Sequence, residues 1–148
     1  MRTYFDTGIL LKLYTAEPES LAVAAFAQAR REPIRITELH YSECVSALRL
    51  KQFRGESTAT QSKKAIALLA GDLRAGSLRL VAVDWQQAWS RCRELSESHA
   101  AETGARTLDA LHVACAIQLE AREFVSSDRR QIALAEKAGL EVLDPTAR

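Results

Sequence analysis

Between each β-prone run of this chain and the next stands at least one stretch of helical apolar period, and that alternation leaves few ways to fold. The runs are residues 3–5, 34–37, 78–83, 123–125 and 140–143. Between them, apolar residues recur at helical spacing. Ile9, Leu10 and Leu13 follow the first run. A second helix starts near Pro18, a residue suited to a first turn, and reaches about Arg31. Tyr41, Cys44, Val45 and Leu48 form an i, i+3, i+4, i+7 stripe, and Ala65, Leu68, Leu69 and Leu73 mark a long helix over residues 57–75. Residues 85–102 and 108–119 follow, the latter apolar almost all round and therefore central. A last helix with Ile132, Leu134 and Ala135 closes at Gly139, a natural C′ residue. The order is β, α, α, β, α, α, β, α, α, β, α, β. Helices between successive strands imply right-handed crossovers and a largely parallel sheet with helices on both faces.

Four carboxylates fall where strands end or helices begin in this pattern, or inside a helix on an unexpected face. Asp6 ends the first run at Asp6-Thr7-Gly8, and Asp128 ends the fourth at Ser126-Ser127-Asp128. Asp109 lies in the first turn of the central helix, where the helix dipole favours an ionised carboxylate. Glu43 lies off the apolar stripe of its helix, on the side shared with Leu39 and Leu50. Loops at the carboxyl ends of parallel strands form one crevice, the usual ligand site of open α/β sheets. Like charges gathered there need protons or divalent cations to offset them, so the pattern points to a metal site.

Each carboxylate also has a purely structural reading. Asp128 with Gln131 three residues on matches a capping box, and so does Asp84 with Gln87, which we read as structural. Asp6 could cap the turn after its strand, Asp109 could serve the helix dipole, and Glu43 could pair with Arg49 or Lys12. His112, one turn after Asp109, reads first as a satisfied core histidine. The quartet carries more weight than its members, because four coincidences would be needed.

Other chemistries are excluded by pattern. Asp-Thr-Gly is the triplet of aspartic proteases, in which two carboxylates share a proton. That fold is almost entirely β and needs two such triplets, whereas this chain is rich in helix and supplies one. Cys and His residues lack zinc spacing, and no Gly-rich phosphate loop is present. Cys44, Cys92 and Cys115 lie on helices among apolar residues and read as buried free thiols of a reducing compartment. No stretch reaches the roughly 20 apolar residues needed to span a bilayer. The chain enters a strand almost at once, without the pattern of a signal peptide, so a cytoplasmic location is expected. With 148 residues, 47% of them hydrophobic, the expectation is one domain over residues 1–148. Twenty Lys and Arg against 19 Asp and Glu give a net charge of +1, so any nucleic-acid contact must be local. Lys12, Arg49, Arg106, Arg129 and Arg130, close in sequence to the carboxylates, are the candidates.

These residues resemble the PIN-domain family, and in size and arrangement the chain looks like the VapC-type toxins of toxin-antitoxin pairs. The resemblance runs through Tyr4-Phe5-Asp6-Thr7 with residues 10–14, Glu43 after Thr37, Arg106-Thr-Leu-Asp109-Ala-Leu-His112-Val-Ala114, and Phe124-Val-Ser-Ser-Asp128 with Leu134-Ala135 and Gly139-Leu140. It implies a three-layer α/β/α sandwich and a metal-dependent ribonuclease using Mg or Mn. Asp6, Glu43, Asp109 and Asp128 would fill the acidic positions, with Asp6 and Asp109 as direct ligands. Ser126 stands where the family has Thr or Ser, and Gly8 departs from the usual Ser or Ala. The resemblance further implies a cognate antitoxin, a homodimer to which the helix over residues 57–75 could contribute, and an RNA substrate such as tRNA or rRNA. The alternative is a non-catalytic PIN-fold module that binds RNA or protein.

Overall fold

The computed structural model describes residues 1–147, and its element order is the one expected from the sequence. The chain divides into two compact units: Met1–Gly8 with everything from Ala82 onward, and Ile9–Val81. A short helix, α1 (Thr7–Leu11), runs across the point where the chain leaves the first unit.

The first unit is built on three parallel strands, β1 (Thr3–Phe5), β4 (Glu123–Val125) and β5 (Glu141–Leu143), in the order β1-β4-β5. Its helices are α5 (Trp85–Thr103), α6 (Thr107–Gln118) and α7 (Arg129–Lys137). Register sets Tyr4 opposite Phe124 and Phe5 opposite Val125. The Tyr4 and Phe124 rings stack with centroids 5.4 Å apart, both fully buried. At the amino ends of the strands the register pair Thr3 and Glu123 closes with a 2.6 Å hydrogen bond from the Thr3 hydroxyl. Helix α6 buries every residue from Asp109 to Ala116, which accounts for its all-round apolar sequence. Its end is latched to the start of α5: the Gln118 side chain accepts from the Asp84 amide at 2.7 Å and donates to the Asp84 carbonyl at 3.0 Å. Asp84 itself caps α5 through Gln87 N at 3.1 Å, the structural role read from its sequence. Gly139 follows α7 with φ +84°, where a side chain would be strained.

The second unit pairs β2 (Ile34–Ile36) with β3 (Leu78–Leu80), again in parallel, and carries α2 (Ser20–Ala29), α3 (Glu38–Phe53) and α4 (Ala59–Ala75). Its core gathers Leu10, Ile36, Cys44, Leu69 and Leu78, flanked by Tyr41, Val45 and Leu73. The two helical stripes seen in the sequence supply Cys44 and Leu69 of the buried set and Tyr41, Val45 and Leu73 of its flank. On the second side of α3, Leu39 is half-buried and Leu50 exposed. Helix α4 opens with a complete capping box, Gln61 N to Thr58 Oγ1 at 3.1 Å and Thr58 N to Gln61 Oε1 at 2.9 Å. The Thr37 amide opens α3 by donating to His40 Nδ1 at 3.0 Å, a pairing that the sequence reading did not recognise.

Two of the boundaries that differ from expectation have a visible cause. Helix α2 begins at Ser20 instead of near Pro18, because the Ser20 hydroxyl accepts from Glu17 N and donates to Thr15 O, holding the preceding residues in a turn. Strand β3 stops at Leu80 instead of Val83, since its partner ends at Ile36 and only one further bond forms, from Val81 N to Ile36 O.

Cys44, Cys92 and Cys115 are buried free thiols, as read from the sequence. Burial pushes the Cys44 and Cys115 thiols up to about 12, reinforced by the charge of Glu43 at Cys44 and by Cys92 at Cys115. Burial also raises Cys92. A thiol whose pKa is raised by folding stabilises the protein fully below its unfolded value, about 8.5, and loses that contribution as pH climbs through its folded value. Stability should therefore decline between about pH 9 and pH 12. Ellman's reagent at pH 8 should leave all three cysteines unmodified in the folded protein and titrate all three in denaturant.

Candidate active site

The parallel register of β1 and β4 does more than pair strands. Because Phe5 lies opposite Val125, Asp6 and Ser126 fall side by side one residue beyond the carboxyl ends. The ladder carries on through them: Asp6 N donates to Val125 O at 2.9 Å and Ser126 N to Leu143 O at 3.1 Å. Both backbones are thereby held, and the Ser126 hydroxyl donates a hydrogen bond to Asp6 Oδ2. Asp6 is only 2% exposed and Ser126 fully buried.

Asp128 and Asp109 join through the start of α7. Ser126 Oγ accepts from Asp128 N at 3.0 Å. The Asp128 carboxylate caps α7, its Oδ1 accepting from Arg130 N at 2.9 Å and from Gln131 N at 3.2 Å. This is the cap expected from the sequence, but only half a capping box. The Gln131 side chain does not fold back; its Nε2 donates to Asp109 Oδ1 at 3.1 Å. The other Asp109 oxygen accepts from Arg106 N at 2.8 Å, so Asp109 tethers the first turn of its own helix as well. An unbroken chain of hydrogen bonds thus runs Asp6, Ser126, Asp128, Gln131, Asp109. Asp109 is 6% exposed, whereas Asp128 is exposed.

His112 is the residue whose reach the sequence understated. It is buried, with Nδ1 2.8 Å from the Tyr4 hydroxyl and Nε2 3.3 Å from Thr7 Oγ1. Its ring therefore ties α6 to the residues on either side of Asp6, in keeping with a satisfied core histidine that also steadies the site. Gly8 needs no special backbone: a Cβ there would sit 3.5 Å from Asp6 Oδ1, an ordinary contact that leaves room for the Ser or Ala of the family pattern.

Glu43 belongs to the second unit, half-buried in the middle of α3. The two cations considered as its partners also make contacts of their own. Lys12 lies 3.5 Å from Glu19 and 3.9 Å from Glu17, and Arg49 donates to Gln52 Oε1 at 3.1 Å. Arg106, Arg129 and Arg130 are exposed around the first unit's carboxylates, Arg106 with its guanidinium 3.9 Å from Asp109 Oδ2.

The donors fit a hard divalent cation. They are all oxygens, and two of the carboxylates are buried together in one hydrogen-bonded chain. Among the described residues no group of three or more His, Cys, Asp or Glu side chains is disposed to hold an ion by itself. Mg needs less: it takes one or two carboxylates and keeps several waters. A second sign is Gln131 Oε1, which is buried and meets no donor among the described residues. An acceptor in that position suits the water shell of such an ion. Among the described residues no helix is long and apolar enough to cross a membrane.

No curated protein matches the chain in sequence. Among solved structures, the chain is similar to VapBC-1 from nontypeable Haemophilus influenzae, with a TM-score of 0.63 and 17% identity over 99% of this chain and 100% of that one. It is also similar to FitAcB from Neisseria gonorrhoeae, with a TM-score of 0.64 and 14% identity over 97% of each. At such identities the likeness is one of fold. A sequence model of the PIN domain matches residues 3–137, a span that includes β1 to α7 and all the carboxylates singled out above. With its strand-end carboxylates, its parallel strands and a match through nearly its whole length, the chain belongs to the PIN domain family.

Proposed function

We propose that this chain is a metal-dependent endoribonuclease and the toxin of a toxin-antitoxin pair, acting on RNA phosphodiester bonds with Mg or Mn. The observation that carries the reading is the hydrogen-bonded chain from Asp6 to Asp109 at the carboxyl ends of β1 and β4, in a member of the PIN family. Asp6 and Asp109 would hold the ion directly. When bound, the ion makes a water easier to deprotonate and stabilises the departing oxygen of the phosphodiester. The Ser126 hydroxyl occupies one lone pair of Asp6 Oδ2 and fixes the plane of that carboxylate. Asp128, exposed and held as a cap, would orient water and receive a proton. From the family resemblance alone, Glu43 is a fourth acidic residue of the reaction. The exposed Arg106, Arg129 and Arg130 supply positive charge for RNA phosphates. No side chain is covalently modified.

The resemblance to VapC-type toxins, together with the fold shared with VapBC-1 and FitAcB, supports an antitoxin as partner. A homodimer, a tRNA or rRNA substrate, a cytoplasmic location and a single domain over residues 1–148 belong to the same proposal. The test is incubation of purified, antitoxin-free protein with total cellular RNA in Mg, Mn or EDTA, beside an Asp109→Asn variant. Cleavage that needs metal and is lost in the variant is the expected result, and mapping the cut ends would name the substrate. A folded protein that cuts nothing in any metal would overturn the nuclease in favour of a binding module.

A further inference from the structure

The Gln131 side chain takes a course that its local position does not require. A glutamine three residues after an N-cap commonly folds back onto the N-cap amide, as Gln61 does on Thr58. At α7 that amide, Asp128 N, donates instead to Ser126 Oγ, and Gln131 is released to reach Asp109 on another helix. Its nitrogen meets Asp109 Oδ1, while its Oε1 is buried and meets no donor among the described residues. Turning the amide over does not relieve this, since it would set oxygen against the carboxylate. Buried acceptors are nearly always satisfied, and one that is not calls for an explanation.

We infer that Gln131 is a positioning residue for Asp109: its N–H fixes the carboxylate, and its Oε1 is the acceptor for a water drawn to the carboxylates. The inference rests on the nuclease reading above. Both halves of the amide then have work, and neither could be done by a closed capping box. The arrangement resembles the partners behind metal-ligand side chains, which orient the ligand and whose loss weakens metal binding by roughly 10–100-fold.

The test uses Gln131→Met, nearly the same shape but unable to donate, and Gln131→Glu, which sets a second carboxylate against Asp109. Mn affinity is measured by calorimetry, alongside thermal stability and the kinetics of RNA cleavage. For Gln131→Met we expect Mn affinity to fall about tenfold or more, with kcat falling and KM for RNA unchanged. For Gln131→Glu the acidic limb of the pH profile should move to higher pH, because two neighbouring carboxylates hold a proton more tightly. Gln131→Met binding Mn and turning over RNA like the wild type would overturn the inference, even if its stability had changed. Should Gln131→Met fail to fold, an unmoved pH profile in Gln131→Glu would overturn it equally. A wild-type protein that binds no Mn and cuts no RNA would sink the nuclease reading itself, and the role of Gln131 with it.

Discussion

Asp6→Asn is expected to lower metal-dependent RNA cleavage by about 10³-fold or more, the several kcal/mol of transition-state stabilisation that a well-held ion supplies, while leaving the fold in place. The fold should survive because the backbone of Asp6 is held by Val125 O, independently of its side chain. Asparagine keeps an oxygen acceptor for the Ser126 hydroxyl, loses the charge and turns the other oxygen into an amide donor. The mutation therefore separates a structural carboxylate from a reactive one. Circular dichroism and the melting temperature should be close to wild type, and Mn affinity should fall together with cleavage. Cleavage at the wild-type rate would remove Asp6 from the ligand set, whatever became of Asp109.

His112→Ala should have the largest effect on stability. The ring is fully enclosed and links two hydroxyls, those of Tyr4 and Thr7, to the central helix. Alanine removes both links and opens a cavity beside the Tyr4 and Phe124 stack. Loss of buried polar partners and of packing together should cost about 3 kcal/mol, or roughly 10 °C in Tm. Activity should fall as well, since Tyr4 and Thr7 bracket Asp6. A melting temperature within a degree or two of wild type would show that the ring is not part of what holds β1 to α6.

Much of the molecule was legible because the signals are local. Asp6-Thr7-Gly8 and Ser126-Ser127-Asp128 each end a strand within three residues, and the apolar spacing after them has a helical period whatever else the chain does. The central place of α6 was equally plain, because a helix with apolar residues on every side has no face to give to water. Gln131 was not legible in the same way. Its spacing from Asp128 is that of a capping box, and nothing nearby records that Ser126 has taken the amide and freed the side chain for Asp109. His112 and His40 show the same limit. Both read as ordinary helical histidines, but their partners are settled by the meeting of a ring with a hydroxyl or an amide, 108 residues away for Tyr4 and three for Thr37. The division into two units left no mark either, since the chain passes between them once inside α1 and again between Val81 and Ala82, just after β3.

The pairing of β1 with β4 has a consequence for the order of events in the cell. Asp6 and Ser126 are 120 residues apart, and the strand that carries Asp6 is made before the one that precedes Ser126. At 5–20 residues per second, roughly 6–24 s separate the synthesis of these two residues. During that interval β1 has no β4 to pair with, and Asp6 has no Ser126 beside it. The Asp6–Ser126 pair therefore cannot form until Ser126 has been made, and the proposed metal site stays incomplete throughout that interval.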